Sequence, residues 1–189
     1  MKGLKDDVKE VSEALAEAEK KRELALAESR KIIRLSKNAI HAIHVGSDPS
    51  EIMKEMEENL DAMVSKLSED MLLSGPAADA MMEFAEAELL YDVTEDARLR
   101  SPEELNITPQ AWIMGLADTV GEIRRVIIGS LMDGDRKRAK ALFEAMEDIA
   151  EELLMFDVPD AVIPLRRKQD IVRGIVEKTR SDMLNASLR

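Results

Sequence analysis

An all-α protein, an antiparallel bundle of six to seven helices, is expected from three observations on this 189-residue chain. Met, Ala, Leu and Glu are plentiful, while Gly (8) and Pro (6) are few, a composition that favours helix. No alternating strand pattern occurs anywhere along the chain. The Pro and Gly residues fall in short clusters between long apolar-periodic stretches, where helices begin and end.

Residues 4–45 read as one long helix, with Gly46 as its stop. Asp48-Pro49-Ser50-Glu51 offers an N-cap, a Pro at the first helical position and a Glu at N3, so a second helix runs over 49–73 and ends at Ser74-Gly75-Pro76. A third spans 77–92. Residues 93–108 form a polar connection with a short turn after Ser101-Pro102. Thr108-Pro109 opens a fourth helix over 109–132, closed by Asp133-Gly134-Asp135. A fifth covers 135–155. Pro159 and Pro164 punctuate the approach to a last helix over 161–186. No internal repeat is found, and residues 1–189 are expected to form one domain.

Composition narrows the chemistry. Cysteine is absent, which removes disulfides and thiolates, and His41 and His44 are the whole imidazole supply. No apolar run is long enough to cross a membrane and no signal-peptide pattern is present, so a soluble, cytoplasmic protein is the expectation. The net charge of -12 speaks against binding nucleic acid with the whole surface. The charge is segregated, however: residues 20–37 hold seven Lys or Arg against two Glu, and residues 144–160 hold seven acids and no Lys or Arg.

Two carboxylate pairs stand out on largely apolar helical segments. Glu83-x-x-Glu86 lies in Met81-Met-Glu-Phe-Ala-Glu-Ala, and Asp118-x-x-x-Glu122 lies in Gly115-Leu-Ala-Asp-Thr-Val-Gly-Glu-Ile-Arg-Arg125. These spacings put each pair on one side of its helix. Asp79, Glu83 and Glu86 form one narrow stripe, with Glu88 off it; Asp118, Glu122 and Arg125 form another. Gly115 and Gly121 leave room for a neighbouring helix to approach. If the stripes face each other, four carboxylates with no Cys or His nearby suit a hard divalent cation, Mg²⁺ or Mn²⁺. The competing readings are a solvated helix face, or a structural pair such as Glu122 with Arg125. No Glu-x-x-His accompanies either pair, which disfavours a di-iron centre.

Arg30, Arg34, Lys37, His41 and His44 follow at i, i+4, i+7, i+11 and i+14 on the first helix, a row about 20 Å long. Such a row can track the phosphates of a single strand, or can simply be a solvated face. Trp112, Tyr91 and three Phe are too few for base reading by stacking. The basic run Pro164-Leu-Arg-Arg-Lys168 can bind phosphate, pair with an acidic neighbouring subunit or keep the last helix soluble; a packing or subunit role is favoured, beside Ile171, Val172, Ile175 and Val176.

Taken together, these residues resemble the translin family, and within it the translin-associated factor X branch, in its prokaryotic or archaeal form. The resemblance rests on Arg22-Glu-x-Ala-Leu-x-x-Ser-Arg30 with Ser36 and His44 downstream, on Glu83-Phe-Ala-Glu86, on Gly115-Leu-Ala-Asp-x-x-Gly-Glu-x-x-Arg125, and on Asp157-x-Pro-Asp160 followed by Pro164-Leu-Arg-Arg-Lys168. It implies a helical bundle that assembles with itself into a hollow octamer enclosing RNA. It also implies a Mg²⁺-dependent endoribonuclease acting on single-stranded RNA or the passenger strand of a short duplex. The family's acidic residues match Glu83, Glu86 and Asp118 as metal ligands, with Glu122 as a fourth catalytic carboxylate orienting a ligand or water. The general base is unassigned. One departure is plain: where translin carries a basic, His-containing stretch, residues 55–73 here are acidic, which shifts RNA contact towards Arg30, Arg34, Lys37, His41 and His44. The alternatives are a non-catalytic nucleic-acid-binding capsule and an all-α nucleotide pyrophosphohydrolase.

Overall fold

Seven helices follow one another in the computed structural model, which describes residues 3–95 and 97–187: α1 (Leu4–His44), α2 (Ser50–Val64), α3 (Glu69–Leu72), α4 (Gly75–Thr94), α5 (Pro109–Met132), α6 (Arg136–Met155) and α7 (Arg166–Ser187). No strand occurs among the described residues. The long helix and its stop are as expected, with Gly46 taking the left-handed conformation (φ 69°) that lets the chain turn back.

The apolar pattern explains the layering. α4 is apolar nearly all round and sits in the middle, packed between α1 and α5. α5 passes the core on to α6 and α7, and α2 covers α1. Ile32, Leu35, Ala39 and Ile43 of α1 are buried in the same core as Met53, Met56, Leu60 and Met63 of α2. The two serines buried there are satisfied: Ser36 donates to the Ile32 carbonyl at 3.0 Å, and Ser29 lies 3.8 Å from the Met63 sulfur. Methionine serves as deformable filling in this layer.

Capping fixes where α5 and α6 start. The Thr108 hydroxyl accepts from the Ala111 amide at 3.2 Å, and the Asp135 carboxylate accepts from the Arg138 amide at 2.9 Å.

Three boundaries differ from expectation. The expected helix over 49–73 is two helices: after Val64 the Ser65 hydroxyl bonds the Ala62 carbonyl, and Ser68 adopts an extended conformation that caps a new turn at Glu69. At its start, Asp48 accepts from the Ser50 amide, two residues on, so Pro49 occupies the cap and Ser50 the first helical position. The last helix begins at Arg166 rather than 161, because Ala161–Pro164 is taken up by turns closed by Val162 and Ile163 amides on the Pro159 carbonyl.

Candidate functional site

Gly115 is the geometric key to the site. A Cβ there would lie 2.6 Å from the Ala85 Cβ and 2.7 Å from the Met82 carbonyl oxygen, so α4 and α5 touch backbone to backbone at this point. Only a residue without a side chain permits that approach. Gly121 makes no such contact; its nearest neighbour across the interface is the Ile175 side chain at 3.8 Å. One residue beyond the Met82–Ala85 contact lies Glu86, and three beyond Gly115 lies Asp118. The close crossing therefore brings the two carboxylate pairs together. Thr119 sits at the seam, donating to the Gly115 carbonyl at 2.9 Å and lying 3.4 Å from that of Glu86.

Glu83, Glu86, Asp118 and Glu122 are all partly buried. Glu86 is the most affected: burial, then the charges of Asp118, Glu83 and Glu122, push its carboxyl up to about 8, with Lys168 acting the other way. Asp79, the first member of the α4 stripe, is exposed and outside this group.

Two basic side chains from distant segments enter the group. Lys168 of α7 donates from its ammonium to the Asp118 carboxylate and lies 3.8 Å from the Met82 sulfur. His44, the last residue of α1, pairs through Nε2 with the Glu122 carboxylate, and its side chain is 6% exposed. The His44 hydrogen bond comes first among the causes that hold Glu122 below the ordinary carboxylate range. Arg125 contributes little, at 3.8 Å and largely in solvent, so the Glu122–Arg125 pair does not account for this carboxylate.

The other members of the basic row behave differently from His44. Arg30, Arg34, Lys37 and His41 are exposed on α1. Together they form an exposed face, basic at Arg30, Arg34 and Lys37, that runs along the helix towards His44. Lys168, favoured for packing or subunit contact on sequence grounds, is instead part of the acidic cluster.

A second charged cluster escapes the stripe pattern. Glu88 is fully buried and Asp92 nearly so, and Arg100 from the connection bridges them, its Nη2 2.5 Å from Glu88 Oε2 and its Nε 3.0 Å from Asp92 Oδ1. Trp112 donates from its ring nitrogen to the Arg100 carbonyl at 2.8 Å. This cluster clamps the 93–108 connection onto α4 and α5.

A hard divalent cation fits the first cluster in donor chemistry. All four acids offer oxygen, and a dication would offset both the burial and the mutual repulsion that favour a proton on Glu86. Among the described residues no three acidic or imidazole side chains stand as a finished ligand cage; Lys168 and His44 hold Asp118 and Glu122 instead. Loading an ion therefore requires side-chain rearrangement within the cluster.

Comparison with known proteins adds lineage. The model of the Translin family matches residues 67–189. An uncharacterized protein of Methanocaldococcus jannaschii is 34% identical over 183 residues, spanning 95% of this chain and 82% of that protein. Among solved structures, the crystal structure of AfC3PO is similar with a TM-score of 0.89 at 33% identity, over 96% of this chain and 97% of that one. AfC3PO in complex with duplex RNA gives 0.85 at 32% identity, over 96% and 97%. Apo-NeC3PO gives 0.83 at 25% identity, over 98% of both chains.

Proposed function

This chain belongs to the translin family, and from that premise we propose that it is a metal-dependent endoribonuclease that binds RNA within a hollow homo-oligomer, an octamer on the family pattern. The observation that carries the reading is the meeting of four carboxylates from α4 and α5 around Glu86, whose carboxyl is pushed up to about 8. The binding of duplex RNA by AfC3PO, similar over nearly the whole chain, supports RNA as the ligand class.

Glu83, Glu86 and Asp118 would hold Mg²⁺ or Mn²⁺. Such an ion supplies Lewis-acid activation of water and neutralises charge developing on the phosphate oxygens. Glu86 would have to release its proton to serve as a ligand. Lys168 anchors Asp118 in the absence of the ion and, once displaced, is a free ammonium beside the cluster for a phosphate oxygen. Glu122 is fixed by His44 and would orient a ligand or water. Arg30, Arg34, Lys37 and His41 would carry the strand across the surface by phosphate contacts, with His44 withdrawn from that row to serve Glu122.

A second reading is an RNA-binding capsule without catalysis. It is favoured by one feature: Asp118 and Glu122 already have basic partners. Nothing in the likenesses favours a pyrophosphohydrolase.

The deciding experiment is a gel assay of short labelled RNA with Mg²⁺ and with chelator, using wild type and the Glu86→Gln, Asp118→Asn double variant. Cleavage by wild type in Mg²⁺ alone, lost in the variant while RNA binding persists, supports the nuclease. RNA binding with no cleavage in Mg²⁺ or Mn²⁺ supports the capsule.

A further inference from the structure

The seam between α4 and α5 continues past the carboxylates into a pocket. It keeps step from turn to turn: the Met82 carbonyl lies against Gly115, and four residues on, the Glu86 carbonyl lies against Thr119. One turn before Met82 the matching pair is Ala78 and Ala111, and both line a pocket of about 180 Å³. That pocket therefore lies one to two helical turns, about 6–12 Å, from Glu86 and Asp118. Met82 and Met114 face it from the two helices, and Val162 and Pro164 close it from the segment before α7. Leu73 and Val162 stand at its mouth, large apolar side chains left 43% and 61% exposed. Asp79 and Gln110 bring a carboxylate and an amide to the wall, while the third polar group, the Thr108 hydroxyl, is committed to capping α5.

Positive charge borders this apolar slot. Lys168 pairs with Asp118 and lies 3.8 Å from the Met82 sulfur, at the boundary between pocket and carboxylates. Pro164 leads within two residues to Arg166 and Arg167, both exposed in the first turn of α7, where the positive end of the helix adds to their charge. An apolar slot flanked by cations matches a nucleotide, a flat base joined to anionic phosphates. The size fits one base, since a cavity of roughly 150 Å³ already accepts a benzene ring.

We propose that this pocket holds one unstacked nucleobase of the RNA strand, guanine above the others, and so selects which phosphodiester lies at the carboxylates. The inference rests on RNA as the ligand proposed above. The thioethers of Met82 and Met114 hold the faces of the ring, sulfur–aromatic contacts taking the place of aromatic stacking. Asp79 is a pure acceptor, and guanine offers it two adjacent donors, N1–H and the N2 amino group, one for each carboxylate oxygen. Uracil flanks its single donor with carbonyls, and adenine and cytosine each set a ring acceptor beside theirs, so each of the three turns a lone pair towards the carboxylate. The Gln110 amide donates to the O6 carbonyl of guanine from the other helix.

Anisotropy of fluorescein-labelled single-stranded RNA, titrated with the full-length protein in chelator so that no metal-dependent cleavage intervenes, tests this. The probes are octauridylate and the same strand with one central guanosine or one central adenosine. The guanosine strand should bind at least roughly fivefold more tightly than the other two. Asp79→Asn, a change at an exposed position, should remove that advantage without weakening octauridylate binding. Ala78→Phe, which fills the pocket, should remove it as well. Equal binding of the three strands would overturn the pocket and leave the nuclease reading standing. A guanosine advantage that survives both substitutions would place the base elsewhere and overturn it too. A smaller particle for both variants by light scattering would mean that another copy covers the pocket, again overturning it, and a wild type that binds no RNA would overturn both readings. The predicted preference in a protein that cleaves nothing on adding Mg²⁺ would uphold the pocket and contradict the nuclease alone.

Discussion

Gly115 and Ala85 meet so closely that a Cβ on the glycine would stand 2.6 Å from the Cβ of the alanine. The Met82 carbonyl and the Glu86 amide close the same gap from the backbone side, at 2.7 and 3.1 Å, and backbone cannot swing away as a side chain can. Gly115→Ala gains helix propensity yet forces α4 and α5 apart, and overpacking of this kind costs about 1–3 kcal/mol. The variant should unfold at lower temperature and bind divalent ion more weakly than wild type, because the separation falls between the two carboxylate pairs. Calorimetric unfolding and Mn²⁺ titration check both effects.

Glu86 makes the cluster sensitive to pH. Its folded-state value, about 8, lies above the ordinary 4.5, so folding favours the protonated form. This contribution to stability is complete below the ordinary value and is lost as pH rises through about 8. Chemical denaturation without divalent ions should show stability declining across that window. Glu86→Gln should flatten the decline and be the more stable protein at its upper end. Ion binding by wild type should release a proton below pH 8, seen as a dependence of binding enthalpy on buffer ionisation.

Lys168 and a dication compete for the same carboxylate. Lys168→Met keeps the aliphatic stem beside Met82 and removes the charge from Asp118. The ion-free variant should be less stable than wild type, and its affinity for Mn²⁺ should rise by roughly tenfold as one positive charge leaves the cluster. Unchanged affinity in titration calorimetry would mean the ammonium is indifferent to the ion.

Arg100 offsets the burial of Glu88, whose carboxyl is still pushed up to about 7 by desolvation. One oxygen, Glu88 Oε1, has no hydrogen-bond partner at all. Arg100→Met leaves a fully buried acid unpaired and should cost about 3–5 kcal/mol near pH 8. Arg100 holds the Glu88 value down, so the variant's acid takes up its proton at higher pH than the wild type's, and the loss should shrink as pH falls towards about 7 and stay level below it. Denaturation curves at pH 5 and pH 8 measure the difference.

Much of this architecture is readable from residue order. Thr108-Pro109, Asp133-Gly134 and Gly46 mark helix ends by local chemistry, and the structure places them there. The division of 49–73 into two helices is not readable, because Ser65-Lys-Leu-Ser68 contains neither Gly nor Pro and breaks through side-chain competition for backbone bonds. The acidic stripes follow from helical period, and Gly115 hints at the crossing that joins them. Lys168 lies 50 positions from its partner Asp118 and carries no local sign of the pairing. His44 leaves the basic row for a geometric reason: a seven-residue step drifts by about 20° on a straight helix, so two steps from Arg30 turn it inward. Glu88 did carry a signal, a charge among the almost unbroken apolar positions of α4, where a solvated face has no room.

Whether acids from two helices share one ion is measured most directly by the anomalous diffraction of Mn²⁺ in crystals of the wild-type protein. A single manganese peak per chain is expected, about 2.2 Å from carboxylate oxygens of both α4 and α5, Glu86 and Asp118 among them. A peak held by one helix alone, or no peak at saturating Mn²⁺, would contradict it.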